Sequence, residues 1–158
     1  MKKIFPLPFI FILITIGTIF NACSVKEAVC EDKSVQSEQA TIVNYAATQG
    51  ISATAHSSGV YYQIMNPGSG PTPNNGSRVF VKYTGKLLNG TVFDQQTTPV
   101  SYGLGGLILG WQVGLPLIQK GGIIKLIVPS SMAYGCRGFG TVGGNEILYF
   151  EIELTDVQ

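Results

Sequence analysis

The sequence predicts an α+β fold: a twisted antiparallel β-sheet wrapped around one short α-helix, with an N-terminal helical extension. Three observations predict it. Short segments rich in β-branched and aromatic residues alternate apolar with polar positions and are separated by clusters of Gly, Pro and Asn, the pattern of an antiparallel sheet. Among those strands, the stretch from Gly110 to Ile118 places Trp111, Val113, Leu115 and Ile118 at helical spacing. Ahead of them, the stretch from about Ser37 to Gln49 is amphipathic through Ile42, Val43, Tyr45, Ala46 and Ala47 and is stopped by Gly50.

In chain order, Met1-Lys2-Lys3 precedes an uncharged run from Ile4 to Phe20 and then Asn21-Ala22-Cys23. A basic start, an apolar stretch and a small residue before a cut is the order of a secretory signal, so residues 1–22 are expected to be a signal peptide. The run falls short of the roughly 20 residues of a spanning helix, and Pro6 and Pro8 interrupt it. Ala22-Cys23 resembles a lipobox, with Phe20 and Asn21 where Leu and Ala or Ser are usual. That resemblance implies lipidation of Cys23, an anchor in an extracytoplasmic membrane face and, with Ser24 rather than Asp next, sorting to an outer membrane where there is one. Residues 23–39 then read as a polar tether carrying Lys26, Glu27, Glu31, Asp32, Lys33 and Glu38 with no apolar period.

Residues 40–76 hold the helix and a first strand, Val60-Tyr61-Tyr62-Gln63-Ile64, bounded by Ser57-Ser58-Gly59 and Asn66-Pro67-Gly68. The helix's apolar side suits either this chain's own body or a second copy, which leaves a homodimer through it open. The stretch from Gly68 to Gly76 is turn chemistry. In residues 77–158, Arg78 to Thr84 alternates as a half-buried strand, and Leu88-Asn89-Gly90-Thr91 makes a hairpin turn into Val92-Phe93. Gly121-Gly122 turns the chain into a strand from Ile123 to Val128. The last strand, Ile147 to Leu154, sets Leu148, Phe150, Ile152 and Leu154 on one face and Glu151 and Glu153 on the other. Pro116 lacks the N–H of an interior helical residue, so the central helix must be short or distorted there.

The 158 residues suit one domain with modest extensions, and 12% charged against 45% hydrophobic residues is the balance of a folded chain. Net charge is +1; without Lys2 and Lys3, eight basic residues face nine acidic ones, a net of −1. Neither balance calls for a nucleic-acid partner. The one histidine, His56, lies in a Ser/Thr/Ala-rich connection and reads as a solvated loop residue, and two cysteines beyond Cys23 with no histidine beside them make no metal site. Cys30 and Cys136 can pair in an oxidising compartment or stay as free thiols; both are compatible with the sequence. There is no Ser-His-Asp or Cys-His constellation and no P-loop.

Five blocks in order, Val81-Lys82-Tyr83-Thr84-Gly85, Asn89 to Asp94, Leu109-Gly110-Trp111, Val128-Pro129 to Ala133-Tyr134-Gly135, and Leu148 to Leu154, resemble the FKBP-type peptidyl-prolyl cis-trans isomerase domain over nearly all of residues 77–154. The resemblance implies an FKBP-like fold and a hydrophobic pocket that rotates Xaa-Pro bonds without cofactor or covalent step. It implies Tyr83, Phe93, Asp94, Ile108, Trp111, Tyr134 and Phe150 as the catalytic set, with Trp111 as floor, the Ile108 N–H and the Tyr134 hydroxyl on substrate carbonyls, and Asp94 beside the twisting amide. Val100, Tyr102, Leu107, Phe139, Val142 and Leu148 are expected around the substrate. Against the family pattern, the stretch from Gln95 to Val100 reads as a reduced loop with no arginine for Asp94, and Val100 stands where phenylalanine is common. Phe139 lies near a frequent histidine, and Thr141 to Asn145 replaces an apolar-proline loop. The implied partners are Xaa-Pro segments of unfolded or exported proteins. The alternative is an FKBP-like chaperone or peptide-binding module without turnover.

Overall fold

The computed structural model describes residues 29–158; the expected signal peptide, Cys23 and the start of the tether lie outside the described residues. Helix α1 (Val35–Thr48) is followed by strands β1 (Thr54–Ala55), β2 (Tyr61–Asn66), β3 (Arg78–Leu87) and β4 (Val92–Gly103), helix α2 (Leu109–Gly114), and strands β5 (Gly122–Val128) and β6 (Leu148–Val157). The six strands form one antiparallel sheet in the order β1-β2-β5-β6-β3-β4. This is the expected α+β arrangement. β2 pairs with β5, so the strand placed ahead of residue 77 is part of the same sheet.

The main core lies between α2 and one face of the sheet. Trp111 and Leu115 meet Val79, Val81, Ile124, Leu126, Val128, Leu148, Phe150, Ile152 and Leu154, all buried. Two glycines let α2 lie close: a Cβ on Gly110 would collide with Val128, and one on Gly114 with Leu126. The distortion expected at Pro116 is there. α2 stops at Gly114 and the chain continues as a 3₁₀ turn, Leu115–Leu117, with Pro116 near its start, where a missing N–H removes no helical bond.

The opposite face was expected to be polar, and part of it is not. Ile42 and Ala46 of α1 pack with Ile51, Tyr61, Ile127, Ile147 and Tyr149, a second core on the other side of the sheet. Glu151 stays exposed, and Glu153 forms an ion pair with Lys82, Nζ to Oε2, at 3.1 Å. The helix therefore uses its buried side on this chain's own sheet rather than on a second copy. It begins two residues earlier than the apolar pattern suggests, because Ser34 caps it by accepting the Ser37 N–H, and it ends where Gly50 adopts φ +63.

Two further expectations are corrected. The stretch from Gln95 to Val100 is not a loop but the middle of the continuous strand β4. Its register shifts between Val81↔Val100 and Tyr83↔Gln96, so the extra residues are absorbed as a bulge. β4 is an edge strand, where Pro99 costs no ladder hydrogen bond. The stretch before α1 is also less free than a tether: from Glu31 onward it is bonded to the loop between β5 and β6.

Candidate functional site

The strands and α2 converge on a cavity of about 340 Å³. β3 supplies Tyr83, the start of β4 supplies Phe93 and Asp94, and β6 supplies Phe150. The turn into α2 supplies Gly106, Leu107 and Ile108, and α2 itself supplies Trp111. Strand alternation explains the first group: Tyr83 and Phe150 sit on the core side of adjacent strands, two rungs apart in the β3–β6 ladder.

The aromatic rings meet edge to face. Trp111 lies 5.0 Å from Tyr83 and 5.4 Å from Phe150, centroid to centroid, at 85° and 88°, and Phe93 meets Phe150 at 5.7 Å and 87°. Gly85 makes room for them, since a Cβ there would approach Phe93 to 2.7 Å and Phe150 to 2.9 Å. Trp111 is the floor, 4% exposed, and its indole Nε1 is buried with no acceptor among the described residues.

The polar atoms gather at one wall. The Tyr83 hydroxyl donates to Asp94 Oδ2 at 2.6 Å and lies 3.4 Å from the Tyr102 hydroxyl. Burial first, then the bond to Asp94, hold Tyr83 protonated far above the usual tyrosine range. Tyr134 is also pushed up, mainly by burial and then by Asp94 and Tyr102. Among the described residues Asp94 has no ion-pair partner. Ile108 caps the N-terminus of α2 and lines the cavity: its carbonyl accepts the Trp111 N–H at 2.9 Å, and as a cap residue its own N–H has no helical role. Tyr134 stacks on Phe139 at 5.3 Å and 24°, and Phe139, 69% exposed, forms the outer rim.

All seven residues of the expected catalytic set line this cavity, together with Tyr102, Leu107 and Phe139. Val100, Val142 and Leu148 do not. Val100 packs against the core opposite Val81, Val142 of the β5–β6 loop is 5% exposed and packs in the core, and Leu148 is fully buried, so none lines the cavity. Gly106 lines the cavity and was not anticipated. Its only signal was the Gly105-Gly106 pair ahead of Leu107, which reads as a turn and not as a wall.

Comparison with known proteins gives a consistent set of matches. The family model described as FKBP-type peptidyl-prolyl cis-trans isomerase matches residues 70–155. The FKBP-type peptidyl-prolyl cis-trans isomerase FkpA of Escherichia coli strain K12 is 39% identical over 117 residues, covering 72% of this chain and 43% of that protein. The peptidyl-prolyl cis-trans isomerase Mip of Coxiella burnetii is 38% identical over 104 residues, covering 63% of this chain and 45% of that protein. This chain thus matches less than half the length of either relative. The crystal structure of Escherichia coli FkpA superposes with a TM-score of 0.70 at 35% identity, over 78% of this chain and 61% of that one. A peptidyl-prolyl cis-trans isomerase of Pseudomonas syringae pv. tomato superposes with a TM-score of 0.68 at 32% identity, over 80% of this chain and 98% of that one.

Proposed function

The chain belongs to the FKBP-type peptidyl-prolyl cis-trans isomerase family, and on that premise we propose that it speeds cis-trans isomerisation of Xaa-Pro bonds in unfolded or exported proteins. The observation that carries the reading is the apolar, aromatic cavity with Asp94, Tyr134 and the Ile108 turn at its edge. Rotation of an Xaa-Pro bond breaks amide resonance, with a barrier of ~20 kcal/mol between forms differing by only ~1 kcal/mol. No nucleophile is required. The twisted amide has lost conjugation, so its carbonyl is less dipolar than the planar form and suits a water-poor pocket better. Phe93, Trp111, Ile108 and Phe150 provide that pocket. The Ile108 N–H and Tyr134 hydroxyl hold flanking carbonyls in a turn, and Asp94, fixed by Tyr83, lies beside the rotating bond.

The proposed location is extracytoplasmic, on a bacterial membrane through a lipidated Cys23. The Cys30–Cys136 disulfide supports export, because such bonds persist in oxidising compartments and are rare in the cytosol. Mass spectrometry of the mature N-terminus tests the anchor; an unmodified Met1 end would refute it.

A protease-coupled assay on Xaa-Pro peptides tests the activity. We expect rates well above the uncatalysed reaction that fall on Tyr134→Phe. Uncatalysed rates with retained binding of unfolded protein would instead establish the chaperone or peptide-binding module.

A further inference from the structure

Tyr134 and Phe139 form one side of the cavity, yet both sit in the long connection between β5 and β6, which holds only two 3₁₀ turns and one isolated bridge. A loop side chain is held only as firmly as whatever packs on its backbone. Here the grip comes from the segment leading into α1. Cys30 is disulfide-bonded to Cys136, two residues after Tyr134 and three before Phe139. Asp32 Oδ1 accepts the Cys136 N–H at 2.7 Å, and a Cβ on Gly135, at φ +60, would press against that same oxygen. Asp32 therefore lies directly on the backbone beside Tyr134.

The far end of the loop is held by the same segment. Asn145, at φ 59, donates its N–H to the Gly135 carbonyl at 2.7 Å. Its side-chain Nδ2 donates to the Glu31 carbonyl at 3.2 Å, and its Oδ1 accepts the Lys33 N–H at 3.2 Å. Residues more than a hundred positions apart thus meet at the middle and the end of one loop.

We propose that the strap of residues 29–34, through the Cys30–Cys136 disulfide and Asp32, is a positioning device that sets the pose of Tyr134 and Phe139 over bound proline. It thereby governs both turnover and preference for the residues flanking proline. The second part follows from Phe139: it is the outermost ring of the site and stacks on Tyr134, so a shift of the loop moves the flank contact and the hydroxyl together. The proposal rests on the isomerase reading above.

The test uses the full chain, oxidised and after dithiothreitol, on a panel of Xaa-Pro peptides. Reduction delivers two electrons and two protons to the disulfide, leaving two thiols, while the reagent closes to its own cyclic disulfide. We expect kcat/KM to drop about tenfold with circular dichroism unchanged, since misplacement of about 1 Å can cost up to about a hundredfold. We also expect the ranking among Xaa residues to compress. Global destabilisation alone scales every peptide equally, so a changed ranking is the readout that separates positioning from a merely structural role. Asp32→Ala, with the disulfide verified by mass, should shift the same quantities in the same direction, and the Cys30→Ser/Cys136→Ser double variant should ignore dithiothreitol. Reduced protein and Asp32→Ala both keeping wild-type rates and ranking would overturn the proposal; if reduction unfolds the chain, Asp32→Ala decides alone. If the oxidised protein shows no isomerase activity, the functional reading fails separately. Peptide quenching of Trp111 fluorescence then judges the strap, and an affinity unaltered by reduction and by Asp32→Ala counts against it.

Discussion

The Tyr83 hydroxyl donates to Asp94 Oδ2 at 2.6 Å, joining β3 to β4 inside the cavity. This bond fixes the orientation of Asp94, and it leaves the carboxylate lining the site without an ion pair among the described residues.

Tyr83→Phe should therefore cost more than one ordinary hydrogen bond. Bonds to a charged acceptor contribute about 1.5–3 kcal/mol, and the variant leaves Asp94 without its donor. A loss of about 2 kcal/mol in urea denaturation is expected, with kcat/KM lowered several-fold because Asp94 is no longer held. Asp94→Asn should retain the contact to Tyr83 and the fold while lowering kcat/KM, which separates the carboxylate's charge from its placement.

Tyr134→Phe is expected to leave stability nearly unchanged, since the hydroxyl faces the cavity and the ring's stacking on Phe139 survives. The loss should fall on the isomerase rate. Removal of one transition-state hydrogen bond of about 1.4 kcal/mol lowers kcat/KM about tenfold. Unchanged kcat/KM would remove the hydroxyl from the mechanism.

Much of this site was legible beforehand because strand alternation and a run of short motifs both constrain which residues face inward. Tyr83, Phe93, Trp111 and Phe150 line the cavity for that reason. What stayed hidden depends on contacts between distant segments. Ile127 and Tyr149 point to the face that the period-2 pattern marks as polar, and only the docking of α1 explains their burial. The strap looked like tether because polar residues bonded to a loop carry no apolar period. Val100, Val142 and Leu148 do not line the cavity because apolar residues near a pocket in sequence are equally good core, and here they pack in the core.

Alkaline pH should reveal the buried phenols. The proton on Tyr83 is held above the ordinary tyrosine range by burial and then by Asp94, on Tyr149 by burial and then by Glu151, and on Tyr134 mainly by burial. The folded state binds these protons more tightly than the unfolded state. Their contribution to stability is therefore fully present below about pH 10 and is lost as pH rises beyond it. Urea denaturation between pH 8 and about pH 11 should show a plateau and then a decline of at most about 1.4 kcal/mol per pH unit for each group. Tyr83→Phe should flatten the decline, and kcat/KM should stay level across the plateau because the Tyr83 and Tyr134 hydroxyls remain neutral.

Glu38 offers the sharpest test of how α1 is seated. It is 3% exposed, and its Oε2 accepts the Ser130 N–H at 2.8 Å, tying the helix to the turn at the start of the β5–β6 loop. Its Oε1 and the Ser130 hydroxyl are both buried without partners among the described residues. A buried carboxylate with one hydrogen bond is held against a desolvation cost, whereas an amide in the same place keeps an acceptor for the Ser130 N–H and has no charge to desolvate. Glu38→Gln is accordingly expected to match or exceed wild-type stability at pH 7. Glu38→Leu strands the Ser130 N–H in the interior and should cost about 1–3 kcal/mol. Urea denaturation of the two variants decides: if Gln proved as damaging as Leu, the negative charge itself would be needed to seat the helix.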